Sequence, residues 1–409
     1  MLGATLCFAD ASETAVPLRH SPGNHRQYSI EQATSDRAQL NTIAFDGLAF
    51  LTGDFNCDTF LPPGKISDYF GFQYLRDIDG AAMGHNTDFL TRIANNVLRI
   101  LNAEQKARLV ELGKAQAPQI RDLALKRLPL IQAFCRQLAG DFPAGSQGLN
   151  RAAVMKYTSV IFESSGELAY QRAEVYGQIV GSLSPAQKAE FARLKFGDSR
   201  TWPEVAESDA FDRRTVSHPV HVAMMTYASE FFSWYAGSVE SDTYFCPEGH
   251  GTYFGSFYLK DAPAVHQKNY SISTALTGDS GEAFLAALNP PQREQITSLV
   301  DLQRNDLLDI VSTRRAVATE LRLFMSGGSA SREKVLKLCR HYGELDGELS
   351  FYYATHFAVV NKTLAPAQRA ALQQLRGIAG FSAKTPFVYA DPIASPTIPQ
   401  TDFLFGAVD

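Results

Sequence analysis

Apolar residues recur at intervals of three and four along most of this chain, which is the spacing of one face of an α-helix. In the longest such stretch, the positions that share a face are residues 112, 116, 120, 123, 127, 130 and 134. The alternating patterns typical of half-buried strands are nearly absent from the sequence. The pattern therefore predicts an all-α fold made of amphipathic helices packed in bundles.

Four short motifs mark predicted helix starts, and they begin at Leu101, Leu183, Leu288 and Leu364. Each contains Leu, a small or polar residue, two spacers, Gln and a basic residue. Asn or Ser at the second position can cap a helix, and Gln three residues later can bond back to the backbone of the cap. Pro118 and Pro129 lie inside the helix that follows the first motif, so we expect them to kink or divide it.

The motifs belong to a longer internal repeat. Residues 69–77 match residues 253–261 without a gap, at an offset of 184. The long helix matches at an offset of 187 (residue 292 on 105), and the next helix at 181 (residue 348 on 167). These matches predict a tandem internal duplication of a four- to five-helix bundle with aromatic loops and an extended C-terminal tail.

The predicted organisation is a lead-in at 12–28, helical repeats at 29–200 and 201–380, and a Pro-rich tail at 381–409. The aromatic residues that would pin the tail to the body are Phe387, Tyr389, Phe403 and Phe405. Residues 1–11 form a short apolar run ending in Ala9-x-Ala11, which resembles the end of a secretory signal peptide. This run predicts a periplasmic or extracellular location. The cysteines that could then form disulfides, or remain buried thiols, are Cys57, Cys135, Cys246 and Cys339.

Composition narrows the classes of partner. The chain has 409 residues, 45% of them hydrophobic, with a net charge of −5. The acidic balance argues against nucleic acid as the main partner, and the sequence has no apolar run of about 18 residues that would span a membrane. We expect a protein or a small-molecule ligand as the partner, and an oligomer is compatible with the sequence.

Polar residues that recur at matching positions of the two halves are the candidate site. They are Asp77 with Asp261, Gln116 with Gln303, Arg127 with Arg314, Glu163 with Glu344, Glu167 with Glu348, and Asp122 with Asp309. Residues 116 and 127 lie on the apolar helix face, so we expect this Gln and Arg to be buried. A buried Arg is costly unless it is paired, and the recurring carboxylates are its candidate partners.

This set has three interpretations. The first is a network that fixes helix register, and the second is a polar ligand pocket within each bundle. The third is a metal site of Asp122, Glu163 and Glu167. The metal interpretation lacks the Glu-x-x-His motifs typical of metal sites in bundles. Further metal candidates, found in the second half alone, are His218 with His221 and Cys246 with His250. The sequence identifies no cofactor, phosphate-binding loop or nucleophile elbow.

The four helix-start motifs resemble the LTxxQ motif of the Spy/CpxP-like periplasmic proteins, which are all-helical. The resemblance covers residues 101–105, 183–187, 288–292 and 364–368, and none of the four has Thr at the second position. It implies an ATP-independent chaperone role, or a role in sensing envelope stress and metals.

The leading hypothesis is an exported, non-enzymatic helical protein that binds a partner or ligand through duplicated bundles. One alternative is an enzyme or cofactor-binding protein whose charged site contains Asp77, Arg127 and Glu167 or their equivalents. Another is a structural component of the cell envelope. An exposed apolar surface favours the first hypothesis, whereas charged groups facing an enclosed pocket favour the second.

Overall fold

A computed structural model describes residues 35–52, 88–195, 201–206, 209–239, 281–376, 387–388, 391–392, 397 and 400–406. Most of these residues are helical, which confirms the predicted all-α class. Among the helices in these ranges, none combines the length and hydropathy needed to cross a membrane.

The helices of the first half are α1 (Asp36–Thr52), α2 (Asp88–Ile100), α3 (Ala103–Ala139), α4 (Arg151–Ser182) and α5 (Pro185–Arg193). Those of the second half are α6 (His218–Ala236), α7 (Gly281–Ala286), α8 (Pro290–Thr297), α9 (Leu299–Leu321), α10 (Arg332–Thr363) and α11 (Pro366–Arg376). A short antiparallel pair, β1 (Phe387–Val388) and β2 (Asp391–Pro392), follows them.

The predicted helix starts are confirmed by their capping bonds. Asn102, Ser184 and Asn289 each form a complete capping box with the glutamine three residues later. At the fourth start, the Gln368 side chain accepts a hydrogen bond of 3.0 Å from the backbone of Ala365. The two prolines do not divide α3, which runs from residue 103 to residue 139, whereas the matching stretch of the second half is divided between α8 and α9.

The cap glutamines also bond to each other across each half. Gln187 donates to the Gln105 side chain at 2.7 Å and to the Ile100 carbonyl at 2.9 Å. Gln105 in turn donates to the Ser182 carbonyl at 3.2 Å. The equivalent set in the second half is Gln292, Gln368, Ala287 and Thr363. Each pair therefore holds two helix starts against the ends of the helices that precede them.

The first helix of each half packs against the other half. Helix α1 contacts α7 to α11, and α6 contacts α2, α3 and α4. Gln303 on α9 donates to Gln39 on α1 at 2.9 Å, and Tyr227 on α6 donates to Gln116 on α3 at 2.8 Å. Packing thus crosses the boundary predicted at residues 200 and 201, and each bundle is completed by a helix from the other half.

Helices α4 and α10 form the centre of the molecule and run antiparallel. Glycines let their backbones approach closely. A Cβ on Gly343 would lie 2.7 Å from the Ser159 Cα, and one on Gly347 would lie 2.8 Å from the Met155 Cα. A Cβ on Gly166 would lie 2.6 Å from the Cys339 sulfur. Because no side chain larger than hydrogen fits at these positions, the glycines set the distance between the two helices.

Part of the predicted tail docks against the first half. Leu404 and Phe405 are buried, and the Leu404 carbonyl accepts a 2.8 Å hydrogen bond from the Asn150 backbone. The Arg136 guanidinium lies 4.7 Å from the centre of the Phe405 ring and 2.7 Å from the Asp402 carboxylate. Phe405 thus pins the tail as predicted. Phe403 packs on Tyr157 but stays half exposed, Phe387 lies in β1, and Tyr389 is outside the described residues.

Substituting Gly343→Ala should lower the free energy of unfolding by about 1–3 kcal/mol, the usual cost of overpacking a core. The reason is that the new methyl group would meet backbone atoms of α4. Gly181→Ala is the matched control, since a Cβ there has no heavy atom within 4 Å, and we expect its stability to be unchanged or slightly higher. Urea unfolding of both variants measures the difference in their free energies of unfolding. Equal stability of the two would contradict the inference that Gly343 sets the distance between α4 and α10.

Candidate functional site

The recurring glutamines lie inside the bundles, as the helix face predicts. Gln116 and Gln303 are 0% and 1% exposed. The Gln116 amide donates to the Leu168 carbonyl and to Gln171, both at 3.0 Å. The Tyr353 hydroxyl donates to the Gln303 side-chain oxygen. Both glutamines therefore bond neighbouring helices to each other.

The recurring arginines are buried at matching places in the two halves. Arg127 is 2% exposed and Arg314 is 4% exposed. The apolar positions that share their helix face, such as Leu123 and Ile310, are also buried. The predicted burial of a positive charge within each half is therefore confirmed.

The carboxylates suggested as partners of these arginines form their ion pairs elsewhere. Glu163 pairs with Arg340 at 2.5 Å, and Glu167 pairs with Arg332 at 2.7 Å. Glu348 pairs with Arg151, and Glu344 lies 3.8 Å from the ring of His341. The pairs of Glu163, Glu167 and Glu348 join α4 to α10, so these glutamates serve the interface between halves rather than the interior of one bundle.

Two of these ion pairs are equivalent across the antiparallel helices. Arg151 begins α4 and meets Glu348 on α10, and Arg332 begins α10 and meets Glu167 on α4. Arg332 follows Arg151 at the same offset of 181 that relates Glu348 to Glu167. The contacts thus have the symmetry expected of two equivalent helices packed antiparallel.

Arg151, Asp306, Glu348 and Tyr352 form a group that we call the junction cluster. The Tyr352 hydroxyl donates to Glu348 at 2.6 Å, and the Arg151 guanidinium lies 5.7 Å from the centre of the Tyr352 ring. Asp306 comes from α9 and interacts electrostatically with Glu348 and Arg151. Three helices therefore bring two carboxylates, a phenol and a guanidinium together at the interface between the halves.

The electrostatics of the junction cluster favour proton binding. The pKa of Asp306 is raised to about 6, first by burial and then by the Glu348 carboxylate, against the opposing charge of Arg151. Burial and the hydrogen bond to Glu348 also raise the pKa of Tyr352, to about 12. A carboxyl group that takes up a proton near pH 6 can act as an acid, a base or a pH-responsive group.

An equivalent group without the aspartate forms around Glu167 of the first half. Its members are Arg332, Glu167, Gln171 and Gln119. Gln171 donates to Glu167 at 3.1 Å, in the place where Tyr352 donates to Glu348. Gln119 occupies the position that matches Asp306 at the offset of 187. The two halves thus share the ion pair between arginine and glutamate but differ in the two residues beside it.

Among the described residues, Arg172 is the most deeply buried charged side chain, and it is not shared between the halves. Arg172 is 0% exposed, and its Nε lies 3.2 Å from the Glu230 carboxylate on α6. Its guanidinium lies 5.8 Å from the centre of the Tyr227 ring. Tyr353 stands at the matching position of the second half, so comparing the halves for identical residues passes over Arg172. Asp306 and Tyr352 were missed because glutamines stand at their matching positions in the first half. A change from an amide to a carboxylate between matched positions is the signal in the sequence that could have identified Asp306.

The other predicted site residues fall into two groups, those outside the described residues and those that the structure places. Asp77, Asp261, Cys246 and His250 lie outside the described residues, as does the side chain of His218. His221 stacks on the Phe211 ring at 6.3 Å, and Asp122 is exposed. Among the residues that the structure describes, no group of three or more His, Cys, Asp or Glu side chains is placed to hold a metal ion.

Of the two described cysteines, Cys339 is a buried thiol that packs against Gly166. Burial raises its pKa to about 12, so the thiol stays protonated at neutral pH. The other, Cys135, is half buried, and Cys57 lies outside the described residues together with Cys246. The thiol interpretation thus applies to Cys339.

Comparison of this chain with family models, with curated proteins and with solved structures gave no match. The resemblance to the LTxxQ-motif proteins therefore stays a prediction that rests on the four motifs alone.

Substituting Gln303→Leu should lower the free energy of unfolding by about 1–3 kcal/mol, because it removes the acceptor of the buried Tyr353 hydroxyl and a donor to Gln39. Tyr353→Phe should cost less in the Gln303→Leu background than in the wild type, since the two residues share a bond. Gln119→Leu, on the exposed side of α3, is the control with little expected effect. Additive effects of Gln303→Leu and Tyr353→Phe in urea unfolding would show that the bond does not stabilise the fold.

Proposed function

We propose that this chain is an exported, non-enzymatic helical protein that binds a protein partner through its helical bundles, in a chaperone-like or sensor-like role. The observation that carries the proposal is an exposed apolar surface formed by α4 and the docked tail. Val160 and Phe403 are 49% and 51% exposed. Tyr157 lies one helical turn before Val160, and its ring centre is 5.4 Å from that of Phe403. We call these three residues the apolar patch.

The apolar patch is held in place by the structure around it. The Tyr157 hydroxyl donates to the Lys126 carbonyl on α3 at 2.9 Å. Phe403 is positioned by its neighbours Leu404 and Phe405, which are buried. Large apolar groups that are fixed in place and open to water are typical of surfaces that bind a partner.

The use of the recurring polar residues also supports a binding protein over a catalyst. Glu163, Glu167 and Glu348 join α4 to α10. Gln116 and Gln303 bond helices within the bundles. The buried glutamines thus have structural partners, and paired buried polar groups usually fix helix register. The glutamates pair with arginines that are about half exposed.

We also infer that the halves descend from one duplicated helical unit. The paired cap glutamines, the buried Gln and Arg on α3 and α9, and the two ion pairs between α4 and α10 support this inference. All of them recur at the offsets of 181 and 187 found in the sequence.

Crosslinking in the source cells, followed by purification and mass spectrometry, tests the proposed binding. Val160→Glu should reduce the amount of crosslinked partner at least tenfold, because it places a charge within the apolar patch. Val359→Glu is the matched control, since Val359 is a similarly exposed valine (46%) on α10. Equal crosslinking of the wild type and both variants, with helical content unchanged, would contradict a partner site at the apolar patch.

The substitution Arg314→Met tests whether Arg314 stabilises the fold or binds a ligand. We expect it to lower the free energy of unfolding by about 3–5 kcal/mol, the usual cost of breaking a buried charged interaction. Lys337→Met, at an exposed position of α10, should have little effect. If Arg314→Met keeps full stability but loses a small molecule that native mass spectrometry detects on the wild type, the alternative of a ligand or catalytic site would replace our proposal.

A further inference from the structure

The interface between the two halves repeats its own contacts across an approximate twofold axis. Residues of α4 and α10 match at an offset of 181, so Gly166 corresponds to Gly347. A Cβ on Gly166 would lie 2.6 Å from the Cys339 sulfur. One on Gly347 would lie 3.0 Å from the hydroxyl oxygen of Thr158, which is the match of Cys339. The same contact is therefore found again when the two halves exchange roles.

The ion pairs and the exchanged helices follow the same rule. Arg151 pairs with Glu348. Their matches, Arg332 and Glu167, also pair with each other. Helix α1 packs mainly on the second half and α6 on the first, so each half gives the first of its described α-helices to the other. In oligomers, reciprocal contacts of this kind define an isologous interface, which joins two copies of one subunit.

The twofold axis passes beside Phe162 and Gly343, two matched positions that contact each other. A Cβ on Gly343 would lie 2.7 Å from the Phe162 Cβ, which is closer than two such carbons come in proteins. The centre of the Phe162 ring lies 5.0 Å from that of Tyr342 on α10. The position on the axis thus has a large side chain from one half and none from the other.

Pairs of like halves would lack this fit. Two first halves would place two phenylalanines on the axis, and Glu163 would face Ser159 instead of its partner Arg340. Two second halves would place glycine on both sides and leave the space of the Phe162 ring empty. Overpacking and cavities both destabilise an apolar interior, and features that disfavour wrong pairs give an interface its specificity.

We propose that the surface between α4 and α10 is a dimer interface enclosed within one chain, and that Phe162 and Gly343 determine that unlike halves pair. A single unit of this kind takes a second copy of itself as its partner. In this chain, the phenylalanine and the glycine direct each half to the other half instead. The proposal rests on the duplication inferred from the recurring residues, and it is independent of the apolar patch.

Exchanging the two residues on the axis tests the proposal in the full chain. Gly343→Phe and Phe162→Gly should each lower the urea midpoint of unfolding, the first by overpacking and the second by leaving a cavity. The double variant should recover more than about half of the sum of the two midpoint shifts. The reason is that the axis position has equivalent surroundings on its two sides, with Ile161 at the match of Tyr342.

A contacting pair away from the axis provides the matched control. It combines Gly166→Cys with Cys339→Gly, which also exchanges a large and a small residue across the interface. These two positions are not matches of each other, so their surroundings differ. The control exchange should therefore recover less than about half of the sum of its two midpoint shifts.

Two results would overturn the proposal. One is an exchange of Phe162 and Gly343 whose midpoint shift equals the sum of the two single shifts. The other is equal recovery by both exchanges, which would show that contact explains the recovery without symmetry. If an exchange variant fails to fold, Gly166→Ala and Gly347→Ala provide the test. These matched glycines should give midpoint shifts within about twofold of each other, because each added methyl group meets matched residues, and a larger difference would count against the twofold interface.

Discussion

The close approach of α4 and α10 is the constraint on which the rest of the structure depends. Gly166, Gly343 and Gly347 remove the side chains that would keep these helices apart. At this distance, the arginine that begins each helix reaches a glutamate on the other helix. The position of the ion pair between Arg151 and Glu348 in the junction cluster therefore depends on the absence of these Cβ atoms.

Polar side chains inside this protein mainly connect helices. The cap glutamines hold helix starts against helix ends, and Gln116 and Gln303 bond across each bundle. Leaving such groups unpaired in an apolar interior would be costly, so each bond also selects one register of the helices. Within the part of the chain that the structure describes, this framework does not account for the apolar patch or the junction cluster.

Much of the local structure could be predicted from the sequence, because it depends on neighbouring residues. The helix starts at Asn102, Ser184 and Asn289 need a cap and a glutamine three residues later, and this spacing is visible in the chain. The buried face of α3 follows from a period of 3.6 residues, including the unusual burial of Arg127. Such features require no knowledge of what packs against the helix.

The partners of these helices could not be predicted in the same way. The sequence suggested that Glu163 and Glu167 would neutralise Arg127, but they pair with Arg340 and Arg332 on α10. Nothing in the helical pattern of α1 indicates that it packs with the second half. The search for shared residues found the framework common to both halves, and it missed Asp306 because that residue occurs in one half alone.

The exchange of α1 and α6 has a consequence for how the chain folds during synthesis. Helix α6 meets α2, α3 and α4, all of which leave the ribosome before it. Of the described helices, α1 leaves first, yet most of its contacts are with α7 to α11, which are made last. The ring of its Phe50 also lies 6.5 Å from that of Phe134 on α3. Most of the apolar contacts of α1 are therefore completed late in translation, and contacts so distant in sequence are slow to form. In a nascent chain, α1 is therefore the described helix whose apolar side chains are covered latest.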